Sequence, residues 1–177
     1  MQKMTALFAS LLLAAVAAAD DGPITSMKVD LDELVRVGRV LPVQGMSSAG
    51  VPDAAALQVF RDNGYVAVID LRADGEKSGD SEAEVAFELG LAYESLPIAG
   101  ESAISFDNAR RLSELLSRYN GPVLVHCGSG NRVGALVALQ QSLAGADDDL
   151  ALAAGEAAGL TSLEPVVRKR LAEKGAE

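Results

Sequence analysis

The chain has 177 residues, 49% of them hydrophobic, which is enough for one domain with a substantial core and leaves little room for two. Tryptophan is absent and aromatic residues make up 4%, so the core has to be aliphatic. A formal net charge of −10 with no basic run excludes nucleic acid as the partner, since backbone phosphates are bound by clustered Lys and Arg. Any anionic substrate must therefore be held by a local positive site.

The N-terminus reads as a processing signal. Lys3, an apolar run over residues 5–18, and Ala17, Ala18 and Ala19 before Asp20 fit a signal peptide over residues 1–19. Residues 20–177 then form a single domain in the periplasm or outside the cell. The apolar run is shorter than the ~20 residues that cross a bilayer, so no membrane span is expected once the signal is removed. One cysteine cannot close an internal disulfide. A lone thiol kept in an oxidising compartment is a liability unless it is used.

Residues 20–30 form a polar lead. Residues 35–43 (VRVGRVLPV) read as a first strand, and residues 45–50 as a loop of small residues. Pro52 and Asp53 open a helix over 53–63, which Asn63-Gly64 stops. The β-branched run at 65–71 (YVAVIDL) predicts an internal strand, and 72–80 a charged, mobile loop. Ser81 to Glu84 matches the S-x-x-E capping pattern at the head of a helix ending near Leu89. A short strand at 91–97, a loop at 98–104 and a helix over 105–119 follow. Asn120-Gly121-Pro122 breaks that helix before the apolar strand Val123, Leu124, Val125. A helix apolar over most of its surface spans 132–143. Asp147 to Asp149 cap an Ala-rich helix reaching Ala158, and a last helix starts at Thr161 or Ser162. Strands alternating with helices predict an α/β fold, a central parallel sheet of about four to five strands flanked by helices.

The chemistry is concentrated after the 123–125 strand. His126 and Cys127 are the only histidine and cysteine in the chain, and Gly128, Ser129, Gly130 and Asn131 follow. These small residues allow a tight turn with inward-pointing amides, and a helix N-terminus beyond them stabilises a thiolate. Arg132, one helical turn on, can fold back as a bidentate clamp on an oxyanion held by the loop. Cys127 is then the nucleophile. His126 alternates to the opposite face of the strand and is placed behind Cys127, bonding the loop backbone or simply satisfied in the core.

Other chemistries fit less well. One His and one Cys fall short of a metal-ligand set, so no metal is expected. Ser129 lacks a G-x-S-x-G context. Gly128, Gly130 and Gly134 sketch a dinucleotide fingerprint, but no later strand with a terminal acid follows, so no cofactor is expected.

The run VLVHCGSGNRVGALVAL resembles the signature loop of the cysteine-dependent phosphatase superfamily. GYVAVIDLRADGE, LAYESLPIAG and AGLTSLEPVV look like the bacterial beta-lactamase-hydrolase-like protein phosphatase-like family, and the resemblance covers roughly residues 41–167. It implies a protein-tyrosine-phosphatase-like fold, with Cys127 as nucleophile, Arg132 as oxyanion clamp and Gly128 to Asn131 lining the loop. The spacing departs from that superfamily, whose members typically have C-x5-R. Here four residues separate Cys127 from Arg132, as in the rhodanese loop that carries sulfur as a persulfide. One residue fewer shortens the loop by ~3.5 Å and removes an inward N–H. Val133 stands where the phosphatases carry Ser or Thr. Ala99-Gly100-Glu101 replaces the segment with the general-acid aspartate, so Glu101 is either a substitute acid or a solvated carboxylate. Arg72 adds positive charge near the site or makes a surface salt bridge.

Sulfur transfer needs no protonation of a poor leaving group, whereas phosphoester cleavage does. The sequence therefore points first to a sulfurtransferase or persulfide carrier working through Cys127. A protein-tyrosine or dual-specificity-like phosphatase is the alternative, and a non-catalytic anion-binding module the third reading. The expected ligand is a small anion: a persulfide, thiosulfate or a phosphoester.

Overall fold

The computed structural model describes residues 27–77 and 82–175. The signal-peptide reading and the Ser81 cap lie outside these residues. Among them a four-stranded, wholly parallel sheet runs in the order β1 (Met46–Ala49), β4 (Val123–His126), β2 (Ala67–Asp70), β3 (Ala92–Ser95). In register, Ala49 and Asp70 flank His126. The expected α/β architecture is present.

Alternation along β4 sends its residues to two different cores. Val123, Val125 and Cys127 belong to the larger, with α4 (Phe106–Leu116), α5 (Asn131–Leu143), α6 (Asp148–Ala157) and α7 (Glu164–Lys174). Leu124 belongs to the smaller, with α1 (Leu31–Val37), α2 (Ala54–Asp62) and α3 (Glu82–Glu88). α5 is the central helix, buried from Val133 through Leu139. Gly134 permits this, because a Cβ there would run into the backbone of Leu160 and Gly155. It is a packing glycine, which accounts for the loose dinucleotide pattern. No helix among the described residues is long and apolar enough to cross a membrane.

The start of the chain corrects the sequence expectation. Residues 31–37 are a helix, not part of a first strand. Asp30 caps it by accepting from the Glu33 amide at 3.0 Å, and Gly38 closes it at φ 70°. Only Leu34 of this helix is buried. The strand is instead Met46–Ala49, inside the expected small-residue loop. Its serines carry no apolar alternation, yet both are buried, and the Ser47 hydroxyl meets that of Tyr65 at 2.5 Å. Backbone bonds with Met27 and Val29 cover its outer edge. Elsewhere the boundaries fall close to expectation. Asp53, Ser105 and Asp147 each accept a hydrogen bond from the first turn of the helix they cap.

Candidate active site

The Cys127 loop lies at the carboxyl end of β4, where parallel sheets collect ligands. Cys127 is 1% exposed, and its Sγ accepts a hydrogen bond from the Gly130 amide at 3.2 Å. That amide points inward because Gly130 sits at φ 86°, a left-handed conformation costly for residues with a Cβ. A donor aimed at sulfur and the start of α5 thus put the positive ends of backbone dipoles beside Sγ.

Arg132 folds back over the loop. Its Nη2 lies 3.6 Å from where a Cβ on Gly128 would stand. Nη1 donates to the carbonyl of Ile98 at 3.1 Å and approaches that of Leu71 at 3.5 Å. The fork closes on Glu76, with Nη1 to Oε1 at 2.7 Å and Nη2 to Oε2 at 2.5 Å. This pair raises the Arg132 pKa despite partial burial, with Cys127 adding to the effect. The same hydrogen bond to Arg132 holds the Glu76 carboxyl below the usual carboxylate range, against the cost of burial. Glu76 comes from a 3-10 turn, Asp74–Glu76, in the connection expected only to be charged and mobile.

Gly100, Glu101, Ser129, Asn131, Arg132 and Glu76 line a single open cavity of about 390 Å³ with Ser162 and Leu163. Glu101 thus faces the site. Asn131 acts as a brace: its Nδ2 donates to Ser162 Oγ at 2.8 Å and its Oδ1 accepts from the Thr161 amide at 2.8 Å. The loop is thereby tied to the α6–α7 connection. Gly128 and Ser129 form its exposed lip.

His126 and Arg72 lie away from the cavity. The His126 ring is fully buried, its Nε2 2.7 Å from Glu82 Oε1, and it makes no hydrogen bond to the loop backbone. Arg72 is 4% exposed and forks onto Asp70, with Nη2 to Oδ2 at 3.0 Å, while the same nitrogen reaches Glu82. It is neither a surface salt bridge nor free charge at the cavity. Tyr93 donates to Asp70 at 2.8 Å. Burial works against the charged form of Asp70, but the bonds from Arg72, the nearby His126 and Tyr93 outweigh it and hold the pKa low. Burial, then the bond to Asp70, pushes the Tyr93 pKa up. Asp70, Glu82 and His126 bring potential metal ligands within 4.8 Å of one another. The Arg72 guanidinium already supplies the cation between the two carboxylates, so they form an ion-pair cluster.

Sequence reasoning missed Glu76 and Glu82. The available signal was the density of acids after the β2 strand, in a stretch that the fold returns to the site.

Residues 43–146 match the family described as polymorphic toxin system, DSP-PTPase phosphatase (Tc-R-P). The chain belongs to this family. Beta-lactamase hydrolase-like proteins are similar over 104 residues: that of Xylella fastidiosa at 34% identity and that of Agrobacterium fabrum at 29%. The match takes in 56% of this chain but 24% of each relative, so the chain spans about a quarter of their length. The resemblance read from the sequence is borne out. Among solved structures, a Neisseria meningitidis protein described as a candidate phosphatase has a TM-score of 0.61 at 18% identity, covering 71% of this chain and 90% of its own. Pseudomonas aeruginosa TpbA, in complex with pTyr, has a TM-score of 0.56 at 17% identity, covering 85% of this chain and 90% of its own. At these identities the likeness is one of fold.

Proposed function

We propose that the chain is a cysteine-dependent phosphomonoesterase. The observation that carries this is the Gly130 amide on Cys127 Sγ beside an Arg132 guanidinium held by Glu76. Cys127 as thiolate attacks the phosphorus, a P–S bond forms and the P–O bond breaks. Arg132 and the loop amides hold the equatorial oxygens. The leaving oxygen takes a proton from Glu101, since Glu76 is held ionised by Arg132 and cannot supply one. Water then cleaves the thiophosphate and frees the thiolate. Membership of a family described as phosphatase, and the phosphatase description of the Neisseria meningitidis structure, support this over the sulfur transfer that loop length first suggested.

Sulfur transfer remains the second reading for one reason. The loop is a residue short, and Val133, buried in the core, leaves no hydroxyl after Arg132 to help the cysteine depart. Parallel assays separate the two: p-nitrophenyl phosphate hydrolysis and thiosulfate-to-cyanide transfer, each with wild type and Cys127→Ser. Phosphate release lost in the mutant, without sulfur transfer, is the expected result. Cysteine-dependent sulfur transfer alone, with a mass gain of one sulfur atom on Cys127, overturns it in favour of a persulfide carrier. Neither activity leaves an anion-binding module. Export, read from residues 1–19, is part of the proposal and is tested by N-terminal sequencing of the protein recovered from the periplasm.

A further inference from the structure

We infer that Glu82 is a positioning residue for the nucleophile, acting through His126. The inference rests on Cys127 being the nucleophile, not on which group it attacks. β4 turns Cys127 toward α5 and His126 toward the opposite face, where α3 delivers Glu82. Nε2 and Oε1 lie 2.7 Å apart, a close contact that is out of line for a well-directed hydrogen bond. Asp70 Oδ1 lies 3.7 Å from the same nitrogen. The second oxygen of Glu82 is taken by Arg72, which also holds Asp70. Tyr93 donates to Asp70, and Lys77 Nζ stands 3.8 Å from it. Among the described residues, Asp70 and Glu82 are the charged groups that face the ring, and Arg72, Lys77 and Tyr93 stand against those carboxylates.

The backbone gives this contact its purpose. The His126 carbonyl accepts a sound ladder bond from Leu71 at 2.9 Å. One residue later the Cys127 amide reaches Ala49 only at 3.5 Å, the limit of a useful bond. The sheet therefore loosens at Cys127, and what anchors the chain just before it is the burial of the His126 side chain against Glu82. Glu76 lies in the 3-10 turn that follows β2, and Glu82 is the first residue of α3. These two glutamates therefore meet the loop at both ends, Glu76 at Arg132 and Glu82 at the residue preceding Cys127.

Cys127 is the sole cysteine, so alkylation by iodoacetamide reports on it alone, without any substrate. The rate is measured against pH in the full chain for wild type and Glu82→Gln, with thermal unfolding alongside. Loss of the anchor weakens the Gly130 contact to sulfur, and the midpoint of the profile moves up by about one pH unit, a tenfold loss of thiolate below it. Removing a negative charge without any positioning effect moves the midpoint down. A downward or absent shift in folded Glu82→Gln overturns the inference. His126→Asn is the second variant and stands by itself where Glu82→Gln does not fold; it must show the same upward shift, and an unchanged midpoint is equally fatal. With both folded, the double variant must shift no further than either single one, because additive shifts mean independent action. Alkylation requires no turnover, so failure of the phosphatase reading leaves this outcome intact.

Discussion

Replacing Arg72 by Met tests the buried charge cluster behind Cys127. The substitution keeps apolar bulk and removes the guanidinium that lies between Asp70 and Glu82, leaving two carboxylates without their shared cation. All three side chains are nearly inaccessible, at 5% exposure or less, so water cannot replace the lost partner. Removing one member of a buried pair costs about 3–5 kcal/mol, a large share of the ~5–15 kcal/mol by which domains are stable. At about 4 kcal/mol the thermal midpoint falls by roughly 12 °C, and the urea midpoint by about 2 M. The pH dependence has a definite sign. Asp70 has a lowered pKa when folded, so its contribution is present above the unfolded carboxylate pKa and is lost as pH falls through the folded value. The gap between wild type and Arg72→Met is therefore full at pH 7 and narrows in acid. Urea unfolding at neutral pH and at about pH 3.5, inside the ordinary carboxylate range, measures both. A loss under about 1 kcal/mol at pH 7, or one undiminished in acid, refutes the reasoning.

Glu76→Gln removes the charged half of the fork on Arg132 but leaves the Ile98 carbonyl in place. We expect kcat/KM to fall about tenfold while unfolding is little changed, since Glu76 is half exposed. Wild type and variant should converge in acid, as pH drops through the depressed Glu76 pKa, and a pH–rate profile checks this. Gly134→Ala forces a methyl into the backbone of Leu160 and Gly155, and should cost at least ~1–3 kcal/mol by urea denaturation. Gly130→Ala places a Cβ at φ 86°, 3.3 Å from the Lys28 side chain, and should both lose about 1–2 kcal/mol and slow Cys127 alkylation as its amide turns away from sulfur. Glu101→Gln should depress hydrolysis of alkyl phosphates far more than of p-nitrophenyl phosphate, whose leaving group needs no proton; equal losses on both substrates argue against an acid role.

The sequence by itself determined the fold class and singled out Cys127 as the candidate nucleophile. An apolar strand, a His-Cys pair, small residues and an arginine at the head of a buried helix are contiguous in the chain, and local chemistry dictates what they form. Capping residues such as Asp53, Ser105 and Asp147 likewise act within one turn, so the helix starts could be read directly. The strand at Met46–Ala49 was hidden because its serines are buried by neighbours, Tyr65 among them, and not by their own polarity pattern. Tertiary structure alone decided the fate of the charged residues. Glu76 lies 56 positions from Arg132, and His126 meets Glu82 across a sheet face. Whether a carboxylate is a solvated loop charge or the partner that holds Arg132 depends on which segment the fold brings beside it, and spacing along the sequence carries no record of that.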